Sequence, residues 1–405
     1  MVQFLNGWKV PASRLTDVCL QLTGVCPTKP SKGSSILVMK LFVMLTSLVQ
    51  AIISLSVHWN DNKEVFRVVN DVSAITYGTS LVFTFGLYHD RIEELLTMLQ
   101  QGLYQYSTPL SDKQHVAKRD ATMRVKIVER VFIISSILGT FFFFISPMIF
   151  GIINFMKDSH EKIPLPLSPW FPFDIDSVYL YLTIYTVEMM ISLIIIIYHI
   201  SWQCSLYSSI LCLQGEMRIL DWAFMNIPET AKVMTSRASH RGDVQYYNNC
   251  CLKECIQHHQ KILQCISLLN GAFKIIILEY LESCTFIFCL NAMRLALSPL
   301  SISVTTVTSL GEVVPVMLQL WLICWFGQLL TNEGERMRQS CYNSPWIGQD
   351  RSYKKTLHVV MTRCNKPICL SAGGIYTVDM KTYSQILQAA YSYLNFLLST
   401  HNRSM

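Results

Sequence analysis

Charge is what this 405-residue chain has least of: Asp, Glu, Lys and Arg make up only 15% of it, against about 25% in soluble domains. With a hydrophobic share of 51%, that deficit excludes disordered, fibrous and small disulfide-rich classes. Signatures of catalysis are also missing. There is no nucleophile elbow, no HExxH, no Gly-rich phosphate loop and no paired-acid motif, so nothing indicates an enzyme or a cofactor. Internal repeats and low-complexity segments are absent too. Residues Met1 to Ser34 hold no apolar core and no small-residue cleavage site, which reads as no cleaved signal peptide.

What is present is apolar sequence in long blocks, without helical or strand alternation. A helix needs about 20 apolar residues to cross a bilayer core. Blocks of that order place spans at 36–57, 65–88, 130–153, 177–200, 272–295, 304–328 and 376–398. Runs such as Phe141-Phe142-Phe143-Phe144 and Ile194-Ile195-Ile196-Ile197 must satisfy their backbone within lipid, and uninterrupted blocks do so as helices.

Orientation follows from Lys and Arg, which favour the cytoplasmic side. The N-terminal segment carries 4, and the loops after spans two, four and six carry 7, 6 and 7. The opposite side carries 5 of the 33 (Lys63, Lys157, Lys162, Arg294 and Arg403). The N-terminus is therefore inside and the C-terminus outside. The net charge of +6 comes from this one-sided loading and is not a nucleic-acid signature. An inside N-terminus argues against a G-protein-coupled receptor, as does the lack of Asp-Arg-Tyr after span three and of Asn-Pro-x-x-Tyr in span seven. None of the 14 cysteines falls in an outer loop, which suits thiols kept reduced in the cytoplasm.

Between the spans, residues 90–128 and 205–268 read as helices running on into the cytoplasm. Arg351 to Arg363 is amphipathic through Tyr353, Leu357, Val360 and Met361. Ala12 to Val25 sets Leu15, Val18, Cys19 and Leu22 on one face, as in a helix lying in the interface. The fold class is all-α: a polytopic membrane protein of seven transmembrane helices with a cytoplasmic helical layer.

Three groups of residues are candidates for function. In the last span Gln385, Gln388, Ser392, Asn395 and Ser399 recur at spacings of 3 and 4, one narrow helical face. Such a stripe either lines water in a pore shared by several chains or joins helices through hydrogen bonds. Asp71, Glu188, Glu279, Glu282 and Glu312 are ionisable groups within spans. They read as rim or paired residues, or alternatively as a proton path in a transporter. Cys251, Cys255, His258 and His259 have a metal-like spacing. The plainer reading is one polar face of a cytoplasmic helix.

The ordered set of residues resembles the insect odorant receptors. The resemblance rests on Gln319-Leu320-Trp321, Cys324, Phe326-Gly327 and Leu329-Leu330, followed by Ser340-Cys341-Tyr342-Asn343-Ser344-Pro345-Trp346. Arg363, Lys366-Pro367, Ala372-Gly373 and Tyr391-Ser392 continue it. Leu252, Cys255-Ile256, His259-Gln260 and Ile262 before span five, and Trp170-Phe171-Pro172-Phe173-Asp174 before span four, extend it upstream. Gustatory receptors are relatives, and a gustatory-type channel is the alternative. Their last span ends in Thr-Tyr, five apolar residues and Gln-Phe, whereas Ser392-Tyr393 has no such sequel. The region before span five is shorter than in the odorant co-receptor, which points to a ligand-selective subunit.

The resemblance implies a non-selective cation channel opened by a volatile small molecule. It implies a heterotetramer with odorant co-receptor subunits in the plasma membrane of olfactory neuron dendrites, with lipid and odorant as the other partners. Carried onto this chain, it places the pore at Gln388, Ser392, Asn395, Phe396, Ser399 and Thr400. The ligand pocket falls at Ser136, Gly139 and Phe143. Val72, Thr76, Tyr185, Met189, Gly311 and Val314 are added by depth and direction. Four parts are expected: a cytoplasmic N-terminus with an interfacial helix at 1–35, spans one to six with the pocket at 36–330, a cytoplasmic anchor at 331–372, and the last span with a short outer tail at 373–405.

Overall fold

The computed structural model describes residues 14–25, 34–59, 64–156, 165–167, 170–173, 175, 177–237, 243–297 and 304–404. Within them lie eleven helices: α1 Arg14–Thr23, α2 Ser34–Val57, α3 Glu64–Leu87, α4 His89–Gln101, α5 Asp112–Met156, α6 Val178–Met225, α7 Ile227–Arg237, α8 Val244–Leu297, α9 Val304–Asn343, α10 Arg351–Cys364 and α11 Met380–Ser404. A two-stranded antiparallel hairpin, β1 Ser371–Ala372 and β2 Tyr376–Thr377, precedes α11.

Length explains the architecture. At about 1.5 Å per residue the 48 residues of α6 reach roughly 72 Å, more than twice the hydrocarbon thickness of a bilayer. Its inner half must therefore pack against protein, and every residue from Ile200 to Met217 is buried. The long helices α5, α8 and α9 also run on past their apolar stretches, and with α1 and α4 they surround this segment of α6. The hydrophobic core thus sits in the cytoplasmic layer. Four helices, α2, α6, α8 and α9, are apolar enough over a long window to cross a bilayer by composition alone. Glu64, Arg67 and Asp71 dilute the apolar run in α3, as the polar stripe does in α11.

Local chemistry moved two of the expected boundaries and turned one helix face. The stretch 90–128 is two helices, because Gly102 takes φ +84° after α4 and a capping box starts α5. In that box Ser111 N–H donates to Gln114 Oε1 at 3.0 Å, and Gln114 N–H donates to Ser111 Oγ at 3.4 Å. The last span begins at Met380 instead of 376, because Asp379 accepts the Thr382 N–H at 2.8 Å as a cap and the residues before it form β2. The first helix, α1, buries Thr16, Cys19, Leu20 and Thr23, while Val18 and Leu22 are exposed. Its inward face is thus set by packing on α6 and is not the purely apolar face.

Candidate functional site

In the outer half of the bundle, Gly139 of α5 stands opposite Pro315 of α9. A Cβ at Gly139 would meet the proline ring at 3.6 Å, ordinary van der Waals contact. Gly311 lies one turn before Pro315 on α9. Ser136 lies just before Gly139 on α5, buried, with no hydrogen-bond partner for its Oγ among the described residues. Tyr185 of α6 donates to the Phe144 carbonyl at 2.5 Å, and the two rings meet edge-on at 6.3 Å. The side chain of Phe143 lies outside the described residues. Val72 is half-buried and accepts the Thr76 hydroxyl on its carbonyl at 2.7 Å. Thr76, Met189 and Val314 are exposed, and no hydrogen bond or ring contact among the described residues ties them to the α5–α9 pairing.

Two sets of polar contacts close the outer end. The first fastens the segment between α5 and α6 onto the spans. Arg67 donates to the Leu165 carbonyl at 2.7 Å, Leu167 N–H donates to Glu188 Oε2 at 3.1 Å, and Gln50 donates to the Trp170 carbonyl at 3.3 Å. The second joins α3, α8 and α9. Glu312 Oε2 accepts from Asn70 at 2.9 Å and from Asn291 at 3.1 Å, and Arg294 reaches it at 3.8 Å while donating to Asn291 Oδ1 at 3.0 Å. Asn70, Asn291 and Arg294 are buried. A buried charge is tolerated only when paired and hydrogen-bonded, and this cluster meets that condition.

About 10 Å further in, by the helical rise from Asn70 to Tyr77 and from Glu312 to Gln319, a second polar group crosses the bundle. His199 of α6 sits at its centre. Its Nδ1 faces the Tyr77 hydroxyl at 3.1 Å, and its Nε2 faces Gln319 Oε1 at 3.0 Å and Gln203 Nε2 at 3.1 Å. Tyr207 donates to Gln203 at 2.8 Å and Tyr280 to Gln319 at 3.4 Å. Rings of Tyr77, Phe132, Trp202 and Tyr280 stand 5.7–6.2 Å from the imidazole. The group ties α3, α6, α8 and α9 together at the floor of the outer half.

The last helix shows the opposite arrangement. Gln385, Gln388, Ser392, Asn395 and Ser399 are all exposed, whereas Ile386 and Ala390 are buried where α11 packs on α8 and α9. The stripe is therefore turned away from the chain's own bundle. Phe396 is exposed beside it, and the Thr400 side chain lies outside the described residues. Upstream, Gly373 N–H donates to the Lys274 carbonyl at 2.7 Å, and Asn270 Oδ1 accepts the Ser371 N–H at 2.9 Å. Both contacts clamp the lead-in to α8.

Among the described residues no three His, Cys, Asp or Glu side chains converge as metal ligands. Three of the four candidates face different partners. Cys251 meets Met234, His258 lies 3.0 Å from the Glu216 carboxylate with Tyr106 on its other nitrogen, and His259 faces Cys364.

Sequence reasoning passed over the His199 group, and of the outer cluster it singled out only Glu312. A usable signal existed. His199, Gln319, Asn70 and Asn291 interrupt apolar runs, and polar residues at membrane depth are there for a reason. Arg294 was counted with the outer loop, yet it belongs to the buried cluster.

The profile of the family described as 7tm Odorant receptor matches residues 63–391. The chain belongs to this odorant receptor family. Odorant receptor 67a of Drosophila melanogaster is 29% identical to this receptor over 144 residues, 35% of this chain and 34% of its own length. Odorant receptor 33a of the same fly is 23% identical over 235 residues, 57% of this chain and 58% of its own length. The receptor thus matches about a third to three fifths of these relatives' lengths. The olfactory receptor OR5 of Machilis hrabei superposes with a TM-score of 0.76 at 12% identity, covering 95% of this chain and 97% of its own. The same receptor in complex with eugenol gives 0.75 at 13% identity, with the same coverage of both chains. The fold is therefore that of an insect olfactory receptor, a multi-pass membrane protein of seven spans with its helical layer on the side rich in Lys and Arg.

Proposed function

We propose that this receptor is the ligand-selective subunit of a ligand-gated, non-selective cation channel. It assembles as a heterotetramer with odorant co-receptor subunits in the plasma membrane of olfactory neuron dendrites. One observation carries the reading: the polar ridge of α11 is exposed while its apolar side is packed. An exposed row of amides and hydroxyls at membrane depth calls for water or for a neighbouring chain. Four subunits around an axis supply both.

The parts then divide the work. Residues 1–35 form the cytoplasmic N-terminus with its interfacial helix. Residues 36–330 hold the pocket, with Ser136, Gly139, Phe143, Val72, Thr76, Tyr185, Met189, Gly311 and Val314 around a small volatile organic ligand. Residues 331–372 belong to the anchor layer, and 373–405 carry Gln388, Ser392, Asn395, Phe396, Ser399 and Thr400 at the pore. Eugenol, bound by the Machilis hrabei receptor, typifies the ligand class. Burial of apolar surface drives such binding, at about 25 cal/mol per Å², so shape governs selectivity and affinity is modest. A ligand opens the pore only through its higher affinity for the open arrangement. The floor group around His199 and the backbone clamps on 371–378 form the physical route by which α8 and α9 move α11. Opening withdraws Phe396 from the axis and wets the constriction. Cations pass with little selectivity because amides and hydroxyls line the path in place of a carbonyl cage.

The test is odorant-evoked current in cells expressing this receptor with and without the co-receptor. A current requiring both chains, carried by sodium and potassium alike, supports the reading. Odorant responses that persist without the co-receptor and vanish when G-protein signalling is blocked would contradict it.

A further inference from the structure

One buried acid of the outer half has no task in the channel reading. Glu188 of α6 is 4% exposed and shares the packed face of its helix with Ile184 and Ile191. One of its carboxyl oxygens is occupied: Oε2 accepts the Leu167 N–H at 3.1 Å. The other, Oε1, is shielded from solvent and has no hydrogen-bond partner among the described residues. Leaving a buried polar atom unpaired is costly, and most costly for a group that can carry charge.

The surroundings of Glu188 put it at the depth of the proposed pocket. Tyr185, one turn earlier on α6, meets Phe144 of α5. From that level Glu188 lies three residues further in along α6 and Gly139 five residues further in along α5, about 4.5 and 7.5 Å by helical rise. Glu188 therefore stands within about 3 Å in depth of the Gly139–Pro315 approach. The segment above it is fastened down by Arg67 on the Leu165 carbonyl and by Gln50 on the Trp170 carbonyl. A hydrogen bond made beneath such a cover is stronger than one made in water.

The unpaired oxygen sets the chemistry of what it takes. Ionised, Oε1 only accepts hydrogen bonds. Protonated, with Oε2 serving Leu167 as an acceptor, Oε1 carries the O–H and donates. A hydroxyl answers both states, because it donates and accepts. It is also neutral, so it enters an apolar pocket without the cost of burying a charge that an ammonium incurs. Ethers and ketones only accept, and hydrocarbons do neither.

We propose that Glu188 is a specificity-determining residue of the ligand pocket, and that the preferred ligands are small alcohols or phenols whose hydroxyl bonds to Glu188 Oε1. The inference rests on the pocket under Proposed function and is independent of conduction.

The test reads binding and current separately. The purified full-length receptor with its co-receptor is titrated with hexanol, octanol, benzyl alcohol and cresol, each beside its methyl ether and the primary amine of the same skeleton. The rise in thermal midpoint gives the apparent affinity, and the same compounds are applied to cells for evoked current. The expected result is an affinity at least about tenfold higher for the best hydroxyl compound than for its methyl ether. Glu188→Leu abolishes that difference. Glu188→Gln keeps a carbonyl for Leu167 and turns an N–H to the ligand, so it narrows the difference by improving the ether. The proposal is overturned if no hydroxyl compound shifts the midpoint, or if alcohol and ether bind wild type equally. It is equally overturned if the difference is unchanged in Glu188→Gln, or if binding of the amines alone depends on Glu188. Hydroxyl-selective binding that is lost in Glu188→Leu, without any evoked current, would support the proposal and contradict the channel reading. Evoked current without hydroxyl selectivity would do the reverse.

Discussion

Gly327 of α9 and the carbonyl of Val378 are in direct backbone contact: a Cβ at position 327 would stand 2.0 Å from the Val378 oxygen and 2.9 Å from its carbon. Val378 lies just before α11, so the sixth span presses on the lead-in to the last one with no side chain between them. Val378 N–H in turn donates to the Leu370 carbonyl at 2.9 Å. This contact makes α9 and the start of α11 one mechanical unit.

Gly327→Ala is expected to break that unit. Backbone cannot yield as a flexible side chain can, so the overpacking costs at least about 1–3 kcal/mol. The measurement is the thermal midpoint of the solubilised complex and its odorant-evoked current. Both fall in Gly327→Ala. Gly348→Ala, whose Cβ would meet nothing within 4 Å, leaves both unchanged.

His199→Ala removes a partner from the half-buried Tyr77 and the buried Gln203 and Gln319 at once. Stranding a buried polar group costs about 1–3 kcal/mol, so the variant loses more stability than Tyr77→Phe, which removes a single hydrogen bond. Thermal unfolding of the two variants, read against wild type, checks the order. Equal losses would remove His199 from the centre of the group.

At the outer end, Glu312→Ala leaves Arg294 buried without its carboxylate, a change of about 3–5 kcal/mol when one partner of a buried pair is removed. Glu312→Gln keeps an oxygen for Asn70 and Asn291. Surface expression falls steeply in the first and partly in the second, and Arg294→Met added to Glu312→Ala recovers some of the loss.

Asp221, in the cytoplasmic half of α6, is raised to about 7, mainly by burial and next by the Glu333 charge. A carboxyl raised in the folded state favours folding most when protonated. Its contribution is complete below the unfolded value near 3.8, the ordinary value for this group, and is lost as pH rises through about 7. Asp221→Asn therefore gains on wild type as pH rises from about 5 to about 8. The thermal midpoints of the two proteins across that range measure it.

Much of this was legible in the sequence because it depends on one-dimensional quantities. Apolar length and the Lys/Arg bias give the spans and their direction, and the spacing of Gln388, Ser392 and Asn395 places them on the exposed ridge that α11 shows. Tyr353, Leu357 and Val360 of α10 are buried as their periodicity requires. What depends on the packing partner was not legible. The α1 face is chosen by α6, and the hydrogen bonds of the His199 and Glu312 groups join residues more than a hundred positions apart, except those within α6, within α8 and between α8 and α9. Of the proposed pocket residues, Gly139 stands opposite Pro315, while Thr76, Met189 and Val314 lie at exposed positions. Phe143→Ala is expected to shift odorant preference with surface expression intact, which dose–response curves over a broad odorant panel measure.

The most direct test of conduction along α11 is cysteine accessibility during odorant stimulation. In complexes carrying Gln388→Cys, Ser392→Cys or Asn395→Cys, a membrane-impermeant, thiol-reactive cation should block the evoked current, and Ala390→Cys on the packed face should be untouched. Block at Ala390→Cys alone, or no block at any of the three polar positions, would contradict a pore lined by that ridge.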